Sequence, residues 1–118
     1  MSLKPEQVVQ INFMNWFKYT YPELERYIFH FANERKCSVI EGKILKRMGV
    51  RAGVSDVFLA WPSNNYPGLW MEIKVGKNPL SATQKEFFRT MDSVGYATAF
   101  AIGIDECKEA VINYLQSS

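Results

Sequence analysis

GVSDVFLAWPSNNYPGLWMEIKVGKNPLSATQ, residues 53–84, decides the fold. Val57, Leu59 and Trp61 alternate with Asp56, Phe58 and Ala60, which predicts a strand over 55–61. Leu69, Met71, Ile73 and Val75 alternate with Trp70, Glu72 and Lys74, which predicts a second strand over 68–75. PSNNYP between them is rich in turn formers, so the pair reads as an antiparallel hairpin with a longish loop. If Ala60 pairs with Gly68, Asp56 stands opposite Glu72, and a slip of two residues still leaves both on one face. Two carboxylates side by side repel, by about 0.2–1 kcal/mol on an exposed face, and by more where solvent is excluded. The neighbouring Phe58 and Trp70 predict a face that is only partly wet. A proton on one carboxyl, the ammonium of Lys74, or a hard divalent cation would offset the repulsion, and the cation would do so best. Taken alone, Glu72-Ile73-Lys74 better suits a solvated strand edge with a surface ion pair; Asp56 opposite it brings the metal reading level with that one.

At 118 residues the chain is one domain, 1–118, with 47% hydrophobic and 22% charged residues, the proportions of an ordinary globule. It has no apolar run long enough to span a bilayer and no signal-peptide pattern, so no membrane partner is expected. Cys37 and Cys107 lack metal-ligand spacing and are expected as thiols in a reducing, cytoplasmic compartment, although pairing stays open. His30 is the single histidine, which removes histidine-rich zinc sites. The net charge of +2 is small, but residues 34–51 hold six basic residues (Arg35, Lys36, Lys43, Lys46, Arg47, Arg51) against Glu34 and Glu41. Such a cluster attracts phosphate, or serves as a solvated helix face.

Outward from the hairpin, residues 5–18 read as a helix with Pro5 at its first position and Val9, Phe13, Trp16 and Phe17 as its apolar stripe. Glu6 and Gln10 lie one turn apart at the edge of that stripe; a glutamate there also suits the helix dipole. Residues 25–32 read as a central strand, with His30 as a hydrogen-bonded core residue and Asn33 as its end. Residues 41–48 read as a short basic helix stopped by Gly49, leading into the Gly53 turn. After the hairpin, Ser81 and Gln84 fit a capping box for a helix to about Val94, with Phe87, Phe88 and Met91 inward and Gly95 as C-cap. Gln84 thus has a structural role whether or not it has a chemical one. Residues 96–102 read as a last, buried strand, parallel to the hairpin strand across the helix. Asp105 is expected to cap a final helix to Leu115. The order αβαββαβα is that of a small α/β sandwich with a mixed central sheet.

A leading helical Glu6, then Gly53-Val54-Ser55-Asp56, Glu72-Ile73-Lys74, and Ser81-Ala82-Thr83-Gln84 opening a helix resemble the VRR-Nuc family, a branch of the PD-(D/E)xK nuclease superfamily that includes restriction endonucleases and archaeal Holliday junction resolvases. The resemblance runs from Glu6 to about Leu115; Asn33, Lys46, Gly49 and Gly95-Tyr96 also match. Ser55 departs from it, standing where the family usually has proline. The resemblance implies a restriction-endonuclease-like fold and a catalytic set of Asp56, Glu72, Lys74 and Gln84. It implies Mg²⁺ or Mn²⁺ on Asp56, Glu72 and the Ile73 carbonyl, with Glu6, or in its place Gln10, acting through water or a second ion. It implies DNA as substrate, with Lys43, Lys46, Arg47, Arg51 and Lys77 as the expected DNA contacts. Stand-alone viral and bacterial members imply a homodimer that cuts four-way junctions in recombination or repair. Trp16, Tyr19, Tyr21, Tyr66 and Trp70 are expected either in the core or at the subunit interface. Flap, nick or duplex cutting, and a non-catalytic DNA-binding module of the same fold, are the alternatives.

Overall fold

The hairpin's hydrophobic alternation fixes which residues share a face. In the computed structural model, which describes residues 2–31 and 38–116, β2 (Val57–Leu59) and β3 (Leu69–Lys74) pair antiparallel as Val57 with Met71, Phe58 with Trp70 and Leu59 with Leu69. Continued one residue past each end of these three pairs, the register sets Ala60 against Gly68 and Asp56 against Glu72. The loop closes on Asn64 (φ 51°) and Asn65 (φ 69°), with Ser63 and Tyr66 exchanging two main-chain hydrogen bonds of 2.9 Å. Two successive left-handed residues twist the turn with the strands, and asparagine tolerates that conformation.

α1 (Pro5–Thr20) begins at Pro5, and the Gln7 side chain accepts from the Lys4 amide at 2.8 Å. Its Phe13 and Phe17 are fully buried. The expected strand over 25–32 is shorter than its alternation suggests. Pro22–Tyr27 form a 3₁₀ helix that drops Leu24 into the core, and only Ile28–His30 form β1. β1 pairs with β2 alone, so it is an edge and not a central strand, and Phe29 and His30 are exposed. The expected strand end at Asn33, together with Glu34, Arg35, Lys36 and Cys37, lies outside the described residues.

α2 (Val39–Arg47) is capped by Ser38, whose hydroxyl accepts from the Glu41 amide at 3.1 Å. α3 (Ala82–Ser93) starts on the expected capping box of Ser81 and Gln84. It crosses from β3 to β4 (Ala97–Ile102), which lies parallel to β3. α4 (Gly103–Leu115) begins two residues before Asp105, so Asp105 is not its cap. Instead the Glu106 carboxylate accepts from the Ile102 amide at 2.9 Å, and Asp105 sits in the first turn, where the dipole favours it.

The sheet order is β1-β2-β3-β4. One face packs Leu69, Met71 and Ile73 against Phe13 and Phe17 of α1 and Cys107, Val111 and Tyr114 of α4. The other face carries Phe58 and Trp70, stacked at 4.3 Å between ring centres, with Phe31, Phe87 and Tyr96 around them. The result is a three-layer α/β sandwich on a mixed sheet, as the element order predicts. Trp70 belongs to this aromatic layer, and Trp16 and Tyr21 pack on the α1 side of the core, whereas Tyr19 is 90% exposed. Among the described residues, no helix is long and apolar enough to cross a membrane.

Candidate active site

The sharp turn at Gly53 brings the N-terminus of α3 against the segment that leads through Asp56 into β2. Gly53 has φ +87°, and a Cβ there would collide with the Thr83 carbonyl. Close approach of two backbones and a left-handed φ both require glycine. Gln84, the next residue after Thr83, is thereby aimed at β3.

Glu72 is 2% exposed. Its Oε2 accepts from Gln84 Nε2 at 3.2 Å and lies 3.8 Å from Lys74 Nζ, whose side chain is itself largely buried. Gln84 Oε1 meanwhile accepts from the Ser81 amide at 2.8 Å. The two ends of one amide therefore close the helix cap and hold the carboxylate. Trp70, two positions before Glu72 in the same strand, carries the aromatic layer on this face. A low-polarity surround strengthens each of these interactions and makes an unmatched charge costly.

Asp56 sits one residue ahead of β2. Its Oδ2 accepts from the Ile73 amide at 2.9 Å, across the strand gap. Its main-chain carbonyl accepts from the Phe31 amide at 2.7 Å and from His30 Nδ1 at 3.0 Å. Asp56 and Ile73 line a cleft of about 390 Å³ together with Glu6, Gln7 and Gln10 of α1 and with His30. Glu6 and Gln10 therefore face the same space, one turn apart. His30 is in this wall and not in the core. Its placement depends on pairing between β1 and β2, 26 residues apart, for which no local sequence pattern exists.

The donors suit a hard divalent cation. Asp56, Glu6 and Ile73 line one cleft; Glu72, next to Ile73 in the chain, does not line it; and all of these offer oxygen. Among the described residues, no three His, Cys, Asp or Glu side chains converge closely enough to hold an ion by themselves. A cation there would draw on main-chain oxygen and water as well as on the carboxylates, which is the usual manner of Mg²⁺.

The basic residues lie on the outside. Lys43, Lys46 and Arg47 of α2, with Arg51 and Lys77, are exposed, and none forms an ion pair with a described residue. α2 buries no side chain: Ile40 is 73% and Ile44 49% exposed, and Met48, its C-cap, 74%. Cys107 is a buried free thiol, its pKa pushed up from 9.0 to about 12, chiefly by loss of water around the thiolate and then by the charges of Glu106 and Asp56.

The model of the family described as the VRR-NUC domain matches residues 2–103. No curated protein matches the chain. A solved structure described as a VRR_NUC domain protein superposes with a TM-score of 0.82 at 31% identity, over 97% of this chain and 90% of the other. Match and superposition together span the helix with Glu6, the hairpin with Asp56 and Glu72, and the helix with Gln84, so that the chain belongs to the VRR-NUC family and carries its nuclease-type fold.

Proposed function

We propose that this protein is a metal-dependent, structure-selective DNA endonuclease that resolves four-way junctions as a homodimer in the cytoplasm of a bacterial or phage-infected cell. The observation that carries the reading is two anchored carboxylates beside one stretch of β3, one of them next to a lysine. Asp56 is tied to the Ile73 amide, while Glu72 is tied to Gln84 and lies beside Lys74. A module that only bound DNA would gain nothing from burying acid where phosphate must come.

Asp56, Glu72 and the Ile73 carbonyl would hold Mg²⁺ or Mn²⁺, with Glu6 reaching it through water. Such an ion, when bound, polarises a phosphate and makes its water a better nucleophile. Lys74 orients the attacking water and offers fixed positive charge where negative charge builds up. Gln84 keeps the Glu72 carboxylate from turning away. Lys43, Lys46, Arg47, Arg51 and Lys77 bind phosphates on either side of the cut and read shape more than sequence.

Resolution of a junction takes two symmetric nicks, which a twofold dimer supplies. The bare apolar stripe of Ile40, Ile44 and Met48 on α2 supports a second copy as partner. A nine-residue helix is too short to hold in water without packing.

Cleavage of a labelled synthetic four-way junction and of the matching linear duplex, with Mg²⁺ or Mn²⁺, tests the reading. Paired symmetric nicks in the junction, and little cutting of the duplex, are expected. Equal cutting of both would remove the junction preference, and no cutting of any DNA would remove the nuclease.

A further inference from the structure

We infer that His30 is a positioning residue for Asp56, acting through the Asp56 main-chain carbonyl. The inference rests on the metal reading above. A carbonyl oxygen only accepts, so at 3.0 Å the Nδ1 of His30 must be the nitrogen that carries hydrogen. In the neutral ring this leaves the lone pair on Nε2. The bond is made where regular structure runs out. His30 with Val57 is the last residue pair between β1 and β2, and Asp56 lies one step beyond it. The Phe31 amide donates to the same carbonyl at 2.7 Å, and the Ile73 amide to Asp56 Oδ2 at 2.9 Å. Asp56 is thus held from three directions: two hold its peptide plane and one its carboxylate. The imidazole is the one of the three donors supplied by a side chain, on an exposed residue that adds nothing to the core. Its removal takes nothing from the core and leaves the Asp56 carbonyl on the Phe31 amide alone, which loosens the peptide plane and with it the carboxylate in the cleft. Groups that orient a metal ligand through hydrogen bonds affect affinity for the ion even though they never touch it.

Asparagine separates this role from any other. Its Nδ2 stands the same number of bonds from Cα as histidine Nδ1, whereas nothing in it reaches the position of Nε2. Calorimetric titration of the intact protein with Mn²⁺ at fixed pH, without DNA, is the measurement, with thermal unfolding alongside. We expect His30→Ala to weaken Mn²⁺ binding about tenfold with little change in melting temperature, and His30→Asn to bind close to the unsubstituted protein. Equal binding by His30→Ala would overturn the inference and leave the metal reading standing. So would a His30→Asn protein as weak as His30→Ala, since Nε2 would then be the nitrogen that matters. Failure of the unsubstituted protein to take up Mn²⁺ would remove the metal reading and the role of His30 together.

Discussion

Gln84 shows how one side chain joins folding to chemistry. Its carbonyl oxygen closes the capping box on the Ser81 amide, and its NH₂ holds Glu72 Oε2 at 3.2 Å. Glutamate would satisfy the first contact and reverse the second. We expect Gln84→Glu to keep α3 helical and to lower stability by about 1–3 kcal/mol, measured by urea unfolding, with loss of cleavage. Unchanged stability would mean that the amide does not restrain Glu72. Cys107 gives a second expectation. Its folded pKa, about 12, lies above the ordinary 9.0 because burial disfavours the thiolate. As pH rises past about 9, the unfolded chain releases this proton first, so the thiol's contribution is complete below about pH 9 and is lost toward about pH 12. Burial raises the Tyr114 pKa in the same direction. Urea unfolding from about pH 8 to about pH 11 should show falling stability, with a shallower fall in Cys107→Ala. Equal slopes in the two proteins would contradict the burial argument.

The elements differ in how far their sequences declare them. The hairpin is legible because a period of two on both strands settles which residues share a face, and the observed pairing of Phe58 with Trp70 is the register that follows from setting Ala60 against Gly68. The α3 capping box was legible because Ser81 and Gln84 are local partners. Strand parity names Asp56 and Glu72 and the cap names Gln84, whereas their catalytic roles, with that of Lys74, are what the family resemblance implies. β1 is shorter than the alternation of residues 25–32 predicts, because Pro22–Tyr27 form a 3₁₀ helix that buries Leu24. The start of α4 was misplaced because Glu106, and not Asp105, reaches back to the first free amide. The place of His30 in the cleft wall follows from the long-range contact of β1 with β2, so no local pattern carried it. Gly53 tests the joint between elements. Gly53→Ala must adopt φ +87° and move the Thr83 carbonyl, at a cost of about 1–3 kcal/mol. We expect a lower melting temperature together with weaker cleavage, because α3 would withdraw Gln84 from Glu72. A stable Gly53→Ala protein of full activity would show that this close approach does not set the site.

For the whole molecule, the sheet separates two tasks. One face supplies the core with α1 and α4, and the other carries the aromatic layer under α3. The acidic site stands at the end where β3, the Gly53 turn and the start of α1 meet. α2 stands apart, basic and apolar at once, with Lys43, Lys46 and Arg47 beside Ile40, Ile44 and Met48. If the stripe is the contact between two copies, Ile44→Glu should halve the mass measured by light scattering. An unchanged mass would place the dimer contact elsewhere or remove the dimer. The most direct test of the central claim pairs two measurements on one variant, Asp56→Asn, which keeps the size of the side chain and removes its charge. The account predicts that this protein still shifts a four-way junction in a gel yet no longer nicks it in Mg²⁺ or Mn²⁺. Nicking at the unsubstituted rate would contradict it.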